Sequence, residues 1–273
     1  MAGSRVAVAA APPPPPAPAP ALAPVSCPGL ALLLLLRSPL FWPVLRAARA
    51  ALGESTAFPP VERFGCVFLR EPYGAGGTDD EPPPVRFVVA APRPRRRGRR
   101  KDAVDPRTLY DARITLDGVV PSRPGSWHDL MNALVWGTFP RAKRALHARQ
   151  HRAISERIEP GARTLPPSRT RELDALALLD EGGVVLPARG AGDPARPIIF
   201  GHAIYESLAR GIAPAVVAAI EIDAGARERA PGGADPVAAD LAAIDAALAR
   251  VIDDPSRLQT PEELGRIDLG AYA

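Results

Sequence analysis

The chain is poor in the residues that stabilise small secreted proteins or build thiolate metal sites. Its 273 residues include two cysteines, four histidines and three tryptophans, and only 5% are aromatic. Cys27 and Cys66 can supply neither a disulfide framework nor a multi-thiolate metal site. A reducing compartment suits such a composition, and we therefore expect a cytoplasmic protein.

Long apolar runs and glycine-rich phosphate loops are also absent. The apolar run at 29–36 has eight residues, whereas a membrane-spanning helix needs about 20. The missing phosphate loop argues against Rossmann and P-loop nucleotide sites. One alternative location remains, because Arg5, the leucines and Ala48-Arg49-Ala50 resemble an atypical secretory signal. We thus expect no membrane span, and export is the alternative to the cytoplasm.

Proline, in contrast, is abundant and unevenly placed. The chain has 34 prolines, including five in succession at Pro12–Pro16 within an Ala/Pro-rich leader. Such a segment favours extended conformations and cannot build a core, so residues 1–37 are predicted to be a disordered leader. Residues 38–273 are predicted to form a single domain.

Positive charge is concentrated in one place. The net charge is +4, but the run from Arg93 to Lys101 carries seven positive charges, which leaves the rest of the chain net negative. Clustered guanidinium groups can bind nucleic acid through its phosphates. The run has no aromatic residues on which bases could stack, and prolines interrupt it. Residues 92–102 are therefore predicted to be a solvated Arg-rich loop, with nucleic-acid contact as a weaker alternative.

The order of the predicted elements indicates an α+β fold, because strands and helices do not alternate regularly. Phe64–Leu69 and Val85–Ala90 are predicted to be neighbouring strands, and Ala213–Asp223 another strand. Leu173–Leu179 and Val184–Leu186 are predicted to form a hairpin around Asp180–Gly183. Helices are expected at Pro39–Leu52, after Ser126, from Phe139 to His151 with a kink or restart at Pro140, at Phe200–Leu208, after Asp235 and after Thr260.

The helix after Ser126 concentrates rare side chains. Ser126 is a suitable N-cap, and Asp129 stands three residues later, as in a capping box. His128 and Asn132 are four residues apart and therefore share a helix face. Either they form a hydrogen-bonded pair inside the core, or they belong to a catalytic or ligand-binding site.

Two further histidines have a spacing that is typical of metal sites. His147 and His151 lie one helical turn apart, but Arg144, Arg149 and Arg152 crowd the same segment and would repel a dication. We therefore predict an exposed basic helix here and no metal site.

Carboxylates and a histidine in the second half of the chain complete the candidates. Asp180 and Glu181 are either ordinary turn residues or carboxylates at a strand end that could bind a metal or act as a general base. Further along, His202, Glu206 and Arg210 share a helix face. Glu206 either pairs with Arg210 or orients His202 as a base or metal ligand.

Several of these segments together resemble an uncharacterised bacterial family that is classed only as a domain of unknown function. The resemblance covers about residues 38–260 and lies in Tyr110–Ile114, Pro121–Arg123, Trp127–Trp136, Phe139–Lys143, Asp174 with Asp180–Glu181, and Phe200–Glu206. The family tends to have Asn where His147 stands, which further argues against His147 as a ligand. The resemblance implies no activity, fold or cofactor.

Three functions are compatible with these residues, and whether the protein is an enzyme is left open. The first is a hydrolase, perhaps metal-assisted, whose catalytic site gathers His128, Asp129, Asn132, Asp180, Glu181, His202 and Glu206. Its divalent metal would be bound by His128, Asp129, His202 and Glu206. The second is a binding or scaffold module in which these side chains are buried hydrogen-bond struts. The third is nucleic-acid contact through Arg93–Lys101.

Overall fold

The computed structural model of the chain describes residues 38–53, 55, 57–68, 83–91, 103–188, 197–212, 216–224 and 236–272. The predicted disordered leader (1–37), Cys27 and the Arg-rich loop (92–102) lie outside the described residues, and so do most residues between the two predicted strands Phe64–Leu69 and Val85–Ala90. The roles suggested for them, and the extent of the single domain, stay predictions. The described residues combine helices with two small sheets, which confirms the α+β class.

Helices make up most of the described structure. The α-helices are α1 (Leu45–Leu52), α2 (Tyr110–Asp117), α3 (Trp127–Thr138), α4 (Pro140–Ser155), α5 (Arg171–Gly182), α6 (His202–Ala209) and α7 (Pro236–Asp253). Short 3-10 helices cover Pro39–Val44, Val61–Phe68, Pro106–Thr108, Pro261–Glu263 and Leu269–Tyr272. Within the part of the chain that is described, no helix is long and apolar enough to cross a bilayer.

The strands form one larger and one smaller sheet. They are β1 (Arg86–Val89), β2 (Val119–Ser122), β3 (Gly183–Pro187), β4 (Ile198–Ile199), β5 (Val216–Ile222) and β6 (Gly265–Asp268). The larger sheet has the order β4-β3-β5-β6; β3 runs parallel to β5 and antiparallel to β4. Val184 lies opposite Ile199 on one side and Ala219 on the other. Most of β3 is therefore buried, as a central strand requires.

Several predicted boundaries are confirmed. The Ser126 hydroxyl accepts a hydrogen bond from the Asp129 backbone N–H and caps α3. Pro140 is the first residue of α4, where it removes no helical hydrogen bond. The short helix after Thr260 has a complete capping box with Glu263. Strand β5 and helices α1, α6 and α7 also lie where the sequence predicts them.

The predicted strand Phe64–Leu69 is wrong. Its described residues belong to the 3-10 helix Val61–Phe68, which buries Val61, Phe64 and Val67. Every third residue faces the core, as the three-residue turn of this helix dictates. Strand β1 lies within the predicted Val85–Ala90, but it pairs in parallel with β2 rather than with this segment.

The predicted hairpin around Asp180–Gly183 is also wrong. Leu173–Leu179 belongs to helix α5, whose first turn is capped by the Thr170 hydroxyl. Leu173, Leu176 and Leu179 are buried at helical spacing. Alanine and leucine favour a helix over a strand. The second predicted strand exists as β3, but its partners are β4 and β5.

Helix α4 is not the exposed basic helix that its sequence predicts. Arg149 is 1% exposed and donates hydrogen bonds to the Glu172 carboxylate and to the carbonyl oxygens of Ile252, Asp254 and Arg257. We call these five residues the arginine cluster. The cluster joins α4 to α5 and to the end of α7. Arg149, which the sequence predicts to be exposed, therefore stabilises the packing of three helices.

Candidate metal centre

Three separate elements bring two imidazoles and a carboxylate together. His128 lies in the first turn of α3, Glu181 near the end of α5, and His202 at the start of α6. One potential ligand atom from each side chain lies within 4.8 Å of the other two. We call His128, Glu181 and His202 the metal triad.

The ring nitrogens of the triad face one another. The Nε2 atoms of His128 and His202 are 3.2 Å apart, and Glu181 Oε2 is 3.4 Å from His202 Nε2. The His128 and His202 rings lie edge to face, with centroids 4.5 Å apart. Both nitrogens therefore point into the same small space.

The opposite nitrogen of each ring already has a partner. His202 Nδ1 lies 2.8 Å from the backbone carbonyl oxygen of Asp180, and His128 Nδ1 lies 3.1 Å from Glu206 Oε2. Both partners only accept hydrogen bonds, so each Nδ1 must carry the proton. In the neutral rings both Nε2 atoms then present lone pairs, and two lone pairs at 3.2 Å repel each other unless a cation or a proton lies between them.

A glycine allows the helices to approach closely enough for this arrangement. The backbone N–H of Gly201 donates to the Gly183 carbonyl. A Cβ at position 201 would lie 2.6 Å from the Glu181 carbonyl oxygen and 2.5 Å from the Gly183 nitrogen. Only glycine fits against this backbone, and the contact holds His202 next to Glu181.

A buried ion pair fixes the other side of the α5 terminus. Lys143 is fully buried, and its ammonium group lies 2.6 Å from Asp180 Oδ1. Burial alone would raise the pKa of the Asp180 carboxyl, but the Lys143 charge holds that pKa well below its usual range. The ionised side chain of Asp180 therefore pairs with Lys143 on α4, while the backbone carbonyl of Asp180 accepts a hydrogen bond from His202.

Burial also shifts the pKa values of His202 and Glu181. It lowers the pKa of His202 to about 3, although the Asp180 carboxylate opposes the shift. His202 is thus neutral at pH 7, which is the form that binds a metal ion. Burial and, next, the Asp180 charge raise the pKa of Glu181, whose side chain is still 51% exposed. A cation beside Glu181 would favour its ionised form.

Glu206 contacts the metal triad from behind His128. Its Oε2 accepts from His128 Nδ1, and its Oε1 accepts from Arg210 at 2.5 Å. The predicted Glu206–Arg210 pair is therefore present. The histidine that Glu206 orients is His128 and not His202, which is held by the Asp180 carbonyl.

The remaining candidate residues lie beside the triad. The Asp129 carboxylate accepts three hydrogen bonds from Arg123, at 2.6 to 2.9 Å, and is not among the triad's ligand atoms. Burial would raise the pKa of Asp129, but these bonds lower it. The Asn132 amide contacts the Tyr110 hydroxyl at 3.4 Å rather than His128.

Three polar side chains next to this site are not among the candidates that the sequence offers. Lys143 lies in the helix that the sequence predicts to be exposed and basic, and Tyr110 and Asp111 carry no signal of their own. Asp111 Oδ1 lies 2.9 Å from Nδ1 of His147, which is also buried. The available signal was the resemblance, because Tyr110, Asp111 and Lys143 belong to segments that carry it.

Comparison with known proteins supports the resemblance but supplies no activity. Residues 99–192 match a family model described as a protein of unknown function (DUF3025). This confirms the resemblance to an uncharacterised family over the stretch that holds His128 and Glu181; His202 lies beyond it. No curated protein matches the chain. No solved structure matches it either.

Proposed function

We propose that the protein is a metal-dependent hydrolase whose divalent cation is bound by His128, Glu181, His202 and water. One observation carries the proposal: the Nε2 atoms of two imidazoles lie 3.2 Å apart, while the Nδ1 atom of each ring contacts a hydrogen-bond acceptor. A cation between the nitrogens would remove the repulsion and complete both rings' interactions.

Two of the three ligand-atom distances suit a tetrahedral zinc ion, and the third, between His128 and Glu181, is within 4.8 Å. Zn–N bonds of about 2.0–2.1 Å at the tetrahedral angle separate two ligand atoms by about 3.3 Å. The structure has 3.2 Å between the two Nε2 atoms and 3.4 Å between His202 Nε2 and Glu181 Oε2. Two histidines and a glutamate, with water as fourth ligand, are a known set for catalytic zinc.

The partners of the two rings support a metal centre as well. Metal-binding histidines almost always donate their second N–H to a carboxylate or a backbone carbonyl, which fixes the ring and raises its basicity. His128 has the first kind of partner in Glu206, and His202 has the second in Asp180.

His128, Glu181 and His202 would hold the cation, which would supply hydrolytic chemistry by lowering the pKa of a water for attack on an acyl or phosphoryl centre. The bond to the leaving group would break, and the proton lost by the water would end on that group. Glu181 is half-exposed, so the position beside it is open to substrate.

Elemental analysis of the full chain, purified without a histidine tag, tests this proposal. We expect about one equivalent of zinc in the wild-type protein and under a tenth in His202→Gln. His151→Gln is the matched control, because His151 contacts Ser155 on its own helix and should leave the metal content unchanged. A zinc-loaded wild type should hydrolyse some members of an ester, amide and phosphoester panel, and a chelator should abolish this activity.

Metal-free, well-folded protein that cannot be loaded with zinc, manganese or iron would contradict the proposal. The two imidazoles would then share a proton and act as a buried strut, as in a binding or scaffold module. Equal zinc content in His202→Gln and the wild type would contradict it too, because the metal would then bind elsewhere.

A further inference from the structure

A second group of unpaired polar atoms lies next to the metal triad. Among the described residues, Asn132 Oδ1, Trp136 Nε1 and His147 Nε2 are buried without a hydrogen-bond partner. Their residues are 6%, 0% and 2% exposed. Buried polar groups are almost always paired, so three unpaired ones in one region need an explanation.

The three side chains are neighbours. Trp136 lies one helical turn after Asn132 on α3, and its ring stacks on His147 with centroids 5.6 Å apart and an interplanar angle of 8°. Tyr110 contacts both ends of the group, since its hydroxyl meets Asn132 and its ring packs edge-on against His147. Tyr110 is 43% exposed, so the group contacts a side chain that reaches solvent.

We propose that Asn132, Trp136 and His147 form a subsite for a primary carboxamide or ureido group of the substrate, an inference that rests on the proposed hydrolase. The unpaired atoms define what would fit. Trp136 offers one N–H donor. Asn132 offers a carbonyl acceptor, and His147 Nε2 is an acceptor because Nδ1–H donates to Asp111.

A carboxamide matches this pattern in number and kind. Its carbonyl oxygen accepts from Trp136 Nε1–H, and its two N–H bonds donate to Asn132 Oδ1 and His147 Nε2. A carboxylate of the same shape has no hydrogen to donate, so it would leave both acceptors unpaired against a negative charge. The subsite should therefore select a neutral amide over an acid.

The subsite is connected to the metal triad along two routes. Asn132 follows His128 by one turn of α3. Lys143 lies over the Trp136 ring, with its ammonium 5.7 Å from the ring centroid, and pairs with Asp180, the residue before Glu181. A substrate held here by its amide group would therefore lie next to the water that the metal activates.

The tryptophan indole signals test the subsite directly. The chain has three tryptophans, so full-length protein with ¹⁵N-labelled tryptophan gives three indole N–H resonances in NMR spectra. The Trp136 signal is the one that disappears in Trp136→Phe. We expect acetamide and methylurea to shift this signal saturably, while the signals of Trp42 and Trp127 stay in place.

Acetate and two variants complete the experiment. Acetate should shift the Trp136 signal at least about tenfold less effectively than acetamide, and Asn132→Leu should weaken acetamide binding about tenfold, the effect of one lost hydrogen bond. His151→Gln, which lies outside the subsite, should bind acetamide like the wild type. These shifts are expected with and without zinc, so failure of the metal proposal would leave them measurable.

Two results would overturn the subsite. One is an unchanged Trp136 signal with both amides, together with magnetisation transfer to it from a long-lived water, which would identify a bound water as the occupant. The other is equal binding of acetate and acetamide, which would show that the three atoms do not select an amide.

Discussion

The arginine cluster and the metal triad each contain a buried polar side chain, Arg149 and His202, but the two groups differ in whether their polar atoms find partners within the chain. Arg149 makes four hydrogen bonds, and every acceptor belongs to the chain. In the triad, two ring nitrogens lie 3.2 Å apart, while the other nitrogen of each ring already contacts an acceptor of the chain. The first group finds its partners within the chain, whereas the proposed cation would complete the second. Unmatched polar atoms thus indicate binding, and matched ones indicate structure.

Removing Arg149 should give the largest effect on folding. Arg149→Leu leaves the Glu172 carboxylate and three carbonyl oxygens without their donor, so we expect a loss of about 3–5 kcal/mol in the free energy of unfolding. Urea denaturation measures this loss. Arg152→Leu, at an exposed position of the same helix, should lose less than about 0.5 kcal/mol. Equal losses of unfolding free energy in the two variants would show that the hydrogen bonds of Arg149 add no stability.

Acid should destabilise the metal-free protein through His202. Burial lowers the pKa of His202 in the folded protein from 6.5 to about 3. Between these two values, the His202 side chain is protonated in the unfolded chain and neutral in the folded protein. Stability is therefore retained above pH 6.5 and lost as the pH falls towards 3. Between pH 8 and pH 5 we expect His202 to account for about 2 kcal/mol of lost unfolding free energy. This difference should vanish in His202→Gln; an unaltered pH dependence in that variant would refute the assignment.

Replacing His128 should affect metal binding far more than folding. Glutamine keeps an N–H donor for Glu206 and removes one of the opposed lone pairs, so metal-free His128→Gln should lie within about 1 kcal/mol of the wild type. Zinc at a hundredfold excess over its Kd should stabilise the wild type by about 2.7 kcal/mol and the variant not at all. Thermal or urea unfolding with and without zinc measures both quantities. Equal stabilisation of the two proteins by zinc would show that His128 does not bind the metal.

The sequence predicts those parts of the fold that depend on neighbouring residues. Helix α3 follows from the Ser126 cap, and strands β1 and β5 from their apolar β-branched residues. Helix α5 was predicted to be a strand, because a run of leucines and alanines followed by Asp-Glu-Gly-Gly is also compatible with a strand and a turn. The helical spacing of Leu173, Leu176 and Leu179, after a threonine that can cap, would have corrected it.

The parts of the fold and of the site that the sequence does not predict depend on residues far away along the chain. The burial of Lys143, His147 and Arg149 is decided by partners on α5, on α2 and at the end of α7, and nothing in the α4 sequence reveals those partners. The same is true of the site. Side-chain chemistry makes candidates of His128, Glu181, His202 and Glu206. The helix pattern does not show which of these side chains face one another.

The sequence separations within the metal triad determine when it can form. His128 meets His202 across 74 residues, and it meets Glu206, its partner outside the triad, across 78 residues. The entropy of closing such loops is recovered only after much of the chain has become ordered. We therefore expect the proposed cation to bind late, to a folded polypeptide, and not to nucleate folding. A newly made chain would pass through a stable, metal-free stage, and the supply of metal ions would then set the fraction of mature protein.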